Sequence, residues 1–155
     1  SREQVMDIFN SAQVDWKHLL GDSTYDYPID YWYAILSARK DGHIDMLFRW
    51  EPNAYCHFHR HLVDTTTTVI QGEHHVIEMD KGIEIEHKIR LAGDYAHAPA
   101  GDLHMEYAGP EGSLLLFNMY APEGRLFEIL DREENILMAA TVSDFLSGDL
   151  AAEAA

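Results

Sequence analysis

From residue 31 onwards, short apolar runs alternate with Gly, Pro and Asp, and this alternation restricts the fold more than any other feature. Residues 31–38 and 43–50 are rich in aromatic and β-branched side chains, and residues 40–42 between them fit a tight turn. Further runs of this kind lie at residues 65–71, 74–79, 83–91 and 114–120, and two more flank a turn at 131–135. Many short strands with regular turns predict an all-β chain, an antiparallel sandwich or barrel.

Both ends of the chain show a different pattern. Val5, Ile8 and Phe9 recur at helical spacing, which predicts an N-terminal helix over about residues 1–20. A second short helix is expected from about residue 143, running into a tail that ends at residue 155. With the barrel over about residues 30–140, the 155 residues fit one domain, large enough to bury a core.

Composition excludes several classes of function. Cys56 is the only cysteine, so an intramolecular disulfide is impossible and we expect a reducing, cytoplasmic location. We also expect no signal peptide and no membrane anchor, because no apolar stretch approaches about 18 residues. The net charge of −16 argues against nucleic acid or an anionic membrane as partner.

Three histidines are the strongest candidates for chemistry. His59 and His61 are two residues apart, so in a strand both imidazoles point to one face. His104 follows the rigid corner at Pro99 and Gly101 and is able to join them from a second strand. Three neutral imidazole nitrogens suit Fe(II), Zn(II), Ni(II) or Cu(II). The sequence therefore predicts a divalent metal site and leaves the choice among these four metals open.

The two histidine segments resemble the paired signature motifs of the cupin superfamily, G-x5-H-x-H-x3,4-E-x6-G followed by G-x5-P-x-G-x2-H-x3-N. The second motif fits from Gly93 through His104, and the first fits in its histidines and in Gly72. Asn53 stands in place of the opening glycine and Thr65 in place of the glutamate. The resemblance covers about residues 45–122 and implies a double-stranded β-helix, or jelly roll, with His59, His61 and His104 as the metal ligands.

Thr65 leads to a specific expectation about charge. A hydroxyl in place of the glutamate predicts a three-histidine site, where the metal keeps its full charge and prefers an anionic chelate such as an enolate. Asp64 is adjacent but would need a β-bulge to reach the metal. An alternative interpretation of Thr65 is that the protein resembles a metal-free cupin that has lost its metal site.

Several further residues are candidates around the metal. His57 and His97 are proposed as catalytic groups, because each is able to hydrogen-bond a substrate or act as a base. The expected pocket is apolar and suits a hydrophobic carbonyl compound. Its predicted lining residues are Thr65, Thr67, Phe48, Trp50, Phe117 and Met119.

These features allow three functions. The first, implied by resemblance to cupins that cleave β-diketones or dihydroxyacetophenone, is an Fe(II) dioxygenase that cleaves a carbon–carbon bond in a small carbonyl or enol substrate. The second is a non-redox lyase, isomerase or polyketide-type cyclase that uses Zn(II) or Ni(II) as a Lewis acid. The third is a small-molecule-binding cupin without catalysis. The expected partners are a small substrate and dioxygen, and family analogy implies a homodimer.

Overall fold

The computed structural model describes residue 3 and residues 5–150, and most of its regular structure is β-strand. Within this part of the chain, no helix is long and apolar enough to span a bilayer. The elements are β1 (Lys17–Leu20), β2 (Asp30–Ala38), β3 (His43–Trp50), β4 (His59–His61), β5 (Thr65–Asp80), β6 (Ile83–Leu91), β7 (Tyr95–Ala98), β8 (Leu103–Tyr120), β9 (Arg125–Leu130), β10 (Ile136–Thr141) and α1 (Val142–Ser147).

The strands form a curled antiparallel sheet, which confirms the predicted all-β architecture. Its main path runs β1-β2-β3-β8-β4-β9-β10, and β5 adds pairings with β6, β7 and β8. Strand β8 is 18 residues long, and it pairs with β3 and β5 over most of that length and with β4 at its start. Strand β8 therefore links the part of the sheet that holds the core to the part that carries the histidines.

The predicted N-terminal helix is wrong. Residue 3 and residues 5–16 form turns and irregular segments; residues 1, 2 and 4 lie outside the described part. Polar side chains account for the turns, since Asp7 accepts a hydrogen bond from the Phe9 amide and Asn10 accepts one from the Ala12 amide. Such local bonds compete with helical ones, and Phe9 remains 61% exposed, so no apolar helix face is buried.

The predicted short C-terminal helix is present. Helix α1 ends at Ser147, and residues 151–155 lie outside the described part. Thr141 begins the helix with a capping box to Asp144, which satisfies free backbone amides at this end. Phe145 packs edge-on against Tyr33, whose hydroxyl donates to the Phe145 carbonyl at 2.8 Å. The helix thereby covers one end of the barrel.

The core lies inside the curled sheet and is rich in aromatic rings. Phe48 on β3 and Phe117 on β8 have ring centroids 4.7 Å apart, and Tyr33, Met46 and Leu115 are fully buried around them. This packing fixes β3 against β8 and provides a rigid wall next to the histidine strands.

Strands β5 and β8 approach most closely at Gly72 and Gly112. A Cβ atom on Gly72 would clash with the Gly112 carbonyl oxygen, and one on Gly112 would lie 2.7 Å from the Trp50 carbonyl oxygen. Both glycines also have positive φ angles, 84° and 79°, which side chains disfavour. Glycine is therefore needed at residue 72 for the close approach of β5 to β8, and at residue 112 for the close approach of β8 to the end of β3.

Candidate metal centre

Strand pairing brings the three histidines together. Strand β4 lies between β8 and β9, and His59 on β4 is directly opposite His104 on β8. His61 points to the same face two residues further on, as the alternation of a strand requires. All three side chains are buried, and the Nε2 atoms of His61 and His104 are 2.9 Å apart.

A carboxylate completes the cluster, and the sequence analysis missed it. Glu106 lies two residues after His104 on β8, and its Oε2 is 3.2 Å from the Nε2 atoms of both His59 and His104. Ligand atoms of His59, His61, His104 and Glu106 all lie within 4.8 Å of one another. The expected three-histidine site is therefore a three-histidine, one-glutamate site. The spacing His104-x-Glu106 was the available signal, because it places both side chains on one face.

In each histidine the other ring nitrogen, Nδ1, also makes a hydrogen bond. These bonds join Nδ1 of His59 to the His57 carbonyl at 2.8 Å, Nδ1 of His61 to the Thr65 hydroxyl at 2.9 Å, and Nδ1 of His104 to the Asp102 carboxylate at 3.1 Å. Partners of this kind fix ring orientation and tautomer in metal sites.

The three partners fix the same tautomer. A carbonyl and a carboxylate only accept hydrogen bonds, so Nδ1 of His59 and of His104 must carry the proton. The Thr65 hydroxyl donates to the Val63 carbonyl at 3.2 Å and so accepts from His61. In their neutral forms, all three rings then present an Nε2 lone pair to the centre, which is the form that binds a metal.

Glu106 is oriented by residues from two other places in the chain. Its Oε1 accepts a hydrogen bond from Nε2 of His74 on β5 at 2.9 Å, and Nδ1 of His74 bonds the Ser113 hydroxyl at 2.9 Å. His74 is fully buried, and burial is the main cause that lowers its pKa. A neutral His74 thus directs Oε2 of Glu106 toward the three histidines.

Electrostatics shows that this cluster needs a cation. Burial, together with His104 and His59, lowers the pKa of His61 well below its usual value. Burial would also lower the pKa of His104, but Glu106 and Asp102 outweigh it and raise that pKa to about 9. Burial would raise the pKa of Glu106, yet His104 holds it well below the usual value. The cluster therefore favours bound positive charge, and its ring nitrogens and carboxylate suit a divalent ion.

Thr65 provides a direct test of the outer hydrogen bonds. Thr65→Val keeps the side-chain shape but removes the acceptor for His61 Nδ1, so we expect metal affinity to fall by roughly 10- to 100-fold. Thr65→Ser keeps the hydroxyl and should stay close to wild type. Metal affinity is measured by competition with a chromophoric chelator; equal affinity of the valine and serine variants would contradict this role.

An apolar cavity of about 210 Å³ opens beside the cluster. His59 and Glu106 form part of its wall, and most other lining residues are aromatic or aliphatic. Its polar groups include His57 and Tyr31, joined by a 2.8 Å bond between His57 Nδ1 and the Tyr31 hydroxyl. Burial is the main cause that lowers the pKa of His57 to about 4. The cavity therefore carries a neutral hydrogen-bonding pair next to the metal ligands.

No lysine or arginine lines this cavity among the described residues. Arg49 lies over the ring of Trp16, and Arg60 pairs with Glu128 at 3.0 Å. Within the part of the chain that the structure describes, the cavity thus offers no lysine or arginine to an anionic substrate.

The structure separates the predicted pocket residues into two groups. Phe48, Trp50 and Phe117 line the cavity, as does His57. Thr65, Thr67 and Met119 are buried but are not among the lining residues.

His97 lies away from the cavity. It is on β7 with a side chain 51% exposed, and its Nε2 is 3.5 Å from the Asp64 carboxylate. Asp64 is itself exposed and accepts a bond from the Ala100 amide, so it is not a ligand. Asn53 has a φ of 59°, a conformation that asparagine tolerates well, so it replaces a glycine without changing the turn.

No family model matches the chain, and no curated protein matches it significantly. Solved structures do resemble it. An acetylacetone dioxygenase from Acinetobacter johnsonii is 12% identical with a TM-score of 0.69, over 97% of this chain and 93% of that one. An RmlC-like cupin from Ralstonia eutropha is 17% identical with a TM-score of 0.65, over 92% and 83%.

A structure of DMSP lyases resembles it more distantly, at 17% identity and a TM-score of 0.55, over 70% of this chain and 57% of that one. These likenesses show a cupin fold, as the motif resemblance implied. The buried cluster of three histidines and Glu106 supports a divalent metal site within this fold.

Proposed function

We propose that the protein is an Fe(II)-dependent dioxygenase that cleaves a carbon–carbon bond in a small, uncharged carbonyl or enol compound. The observation that carries this proposal is the candidate metal-binding cluster at the wall of an apolar cavity, where no described residue of the lining is a lysine or arginine. The similar fold of an acetylacetone dioxygenase supports it, because acetylacetone is a small, uncharged diketone.

The four ligands change what the metal is expected to do. His59, His61, His104 and Glu106 would hold it, which leaves about two places on a six-coordinate ion rather than about three. Glu106 also cancels part of its positive charge, so the predicted preference for an anionic chelate is weaker. Bound there, iron would supply a redox-active Lewis acid with one place for a carbonyl or enol oxygen and one for dioxygen.

The chain's own residues position the substrate and exclude water. Phe48, Phe117 and Phe127 give the cavity a low-polarity wall that strengthens the few polar contacts inside it. Neutral His57, held by Tyr31, can hydrogen-bond a substrate oxygen. Trp50 lines the cavity, and its buried indole N–H has no acceptor among the described residues.

His57 and His97 should respond differently to substitution. His57→Leu removes a polar group of the cavity but keeps the backbone carbonyl that orients His59, so kcat/KM should fall about 10-fold with metal content unchanged. His97→Ala alters an exposed side chain and should change kcat/KM by no more than about twofold. Steady-state kinetics and metal analysis on both variants test this, and the reverse order of effects would place the catalytic group at His97.

A non-redox lyase or isomerase using Zn(II) or Ni(II) is the second candidate. The hydrogen-bonded pair of Tyr31 and His57 favours it, because such a pair in the cavity is able to pass a proton to or from a substrate. The distant likeness to DMSP lyases points the same way.

Oxygen dependence separates the candidates. The protein is loaded anaerobically with Fe(II), Zn(II) or Ni(II), and uncharged 1,3-diketones and aryl ketones are offered with and without oxygen. Substrate-dependent oxygen uptake by the iron form, absent in His104→Ala, is the expected result. Turnover without oxygen by the zinc or nickel form would replace it with the second function. Binding without conversion under every condition would leave a ligand-binding cupin.

A further inference from the structure

A second pair of histidines faces away from the candidate metal centre. His74 on β5 bonds Glu106, and because successive side chains of a strand point to opposite faces, His75 lies on the outer face of the sheet. His87 on β6 joins it there, with the Nδ1 atom of His75 2.8 Å from the Nε2 atom of His87. His75 is only 9% exposed, whereas the side chain of His87 is 36% exposed, so solvent reaches the pair through His87.

Strand pairing holds the two rings in place. His87 is opposite Ile77, two residues beyond His75, so the two histidines are diagonal neighbours on one face. Tyr107 of β8 is opposite His75 and stacks on its ring, with centroids 4.4 Å apart and planes 12° apart. The Tyr107 hydroxyl is 3.3 Å from Nε2 of His87. Three neighbouring strands therefore fix this pair.

Each histidine also has a carboxylate beside its other ring nitrogen. Oε2 of Glu73 is 2.7 Å from Nε2 of His75. Because a carboxylate only accepts, that nitrogen carries the proton, and in the neutral ring Nδ1 keeps its lone pair. Oε1 of Glu84 is 3.8 Å from Nδ1 of His87. A carboxylate behind the ring orients a ligating histidine and makes it more basic.

A β-bulge brings the second carboxylate to this face. The register of β6 on β5 shifts at Ile85, which is the extra residue between Glu84 and Glu86. In a regular strand Glu84 and His87, three residues apart, would point to opposite faces. The extra residue places both on the same face, and bulges that redirect a side chain in this way are frequent next to functional sites.

The charges around the pair favour a cation. Glu73 and Glu84 contribute two negative charges, whereas Lys88 and Arg90, one and three residues after His87, point to the other face of β6. The net charge of −16 adds to the attraction for cations. A divalent ion bound by two neutral imidazoles would balance both carboxylates.

We propose that Nδ1 of His75 and Nε2 of His87 bind a second divalent transition-metal ion, which holds β6 against β5. Two nitrogens about 2.0–2.1 Å from an ion and at right angles are about 2.9 Å apart, close to the 2.8 Å between these atoms. Right angles are typical of tetragonal Cu(II) and Ni(II) sites, and Cu(II) binds nitrogen ligands most tightly. The ion takes the place of the proton that a hydrogen bond between the two nitrogens requires.

Copper content tests the site. After loading with Cu(II) and dialysis against glycine, which removes loosely held copper, His87→Gln should retain one Cu(II) per chain fewer than the wild type, whatever the three-histidine cluster holds. His43→Gln is the matched control and should retain as much as the wild type. His43 also lies beside a carboxylate and a tyrosine, Asp41 and Tyr120, but among the described residues it contacts no second histidine. Equal copper in His87→Gln and the wild type would show a plain hydrogen bond and overturn the proposal.

Hydrogen exchange tests the structural consequence. An ion that joins His75 to His87 must leave before β6 separates from β5. At free Cu(II) ten times the Kd, exchange of the amides of residues 83–91 should therefore slow by about 10-fold. His87→Gln should show no such slowing. An unchanged rate in the wild type, or equal slowing in His87→Gln, would mean that no ion links these strands and would overturn the proposal.

Discussion

Glu106→Gln should abolish retention of a divalent metal while leaving the barrel folded. Glutamine has the size of glutamate and still offers Oε1 to His74, so the buried hydrogen bond to this side chain is retained. What is lost is the negative charge 3.2 Å from His59 and His104. Changes to outer partners alone cost roughly 10- to 100-fold in metal affinity, so loss of a ligand should cost at least that much. Metal content after dialysis and the chelator-competition Kd measure the effect.

The matched control is Glu128→Gln. Glu128 lies on β9 and pairs with Arg60 at 3.0 Å, outside the ligand cluster. Its substitution removes one carboxylate charge without touching the ligands, so metal affinity should stay close to wild type. Thermal unfolding of the metal-free forms checks that both variants are folded. Unchanged affinity in Glu106→Gln would show that three histidines alone hold the metal.

The described residues of the cavity wall include no lysine or arginine, which predicts strong selection by substrate charge. A substrate analogue carrying an added carboxylate would bury that charge among Phe48, Phe117 and Phe127 without a partner. An unpaired buried charge costs about 3 kcal/mol or more, which corresponds to a loss of roughly 100-fold in affinity. Calorimetric binding of a neutral ligand and its carboxylate analogue to the metal-loaded protein measures the ratio.

Leu137→Lys provides the converse experiment. Leu137 lines the cavity yet is 53% exposed, so a lysine there can reach the cavity without entering the core. This variant should recover part of the affinity for the carboxylate analogue and leave neutral ligands little affected. Equal binding of both ligands to the wild-type protein would mean that the ligand occupies a different place.

The sequence predicted the strands and the meeting of the histidines because both follow from short-range alternation. The pair His59 and His61 shares a face whatever the rest of the chain does, and the Pro99–Gly101 corner restricts where His104 can lie. Glu106 was missed although the same rule covers it. The motif places its carboxylate at position 65, and the threonine found there instead orients His61.

Other features depend on contacts between distant parts of the chain. The hydrogen-bond chain from Ser113 through His74 to Glu106 arises from the pairing of β5 with β8. His74 and Ser113 are 39 residues apart, so spacing along the chain does not reveal their contact. The prediction of an N-terminal helix was wrong for a related reason. Helical spacing of Val5 and Phe9 stabilises a helix only if a surface receives that face, and here both residues stay exposed.

The close backbone contacts at Gly72 and Gly112 have a consequence for how this protein tolerates change. His74 follows Gly72 by two residues and Ser113 follows Gly112 directly, so these contacts set the distance between His74, which bonds Glu106, and Ser113, which bonds His74. A methyl group at Gly72 would clash with the Gly112 carbonyl and one at Gly112 with the Trp50 carbonyl, so either one displaces the backbone next to His74 or Ser113. Two residues without side chains are thus part of the metal chemistry, and a screen for inactivating substitutions should recover them alongside the ligands.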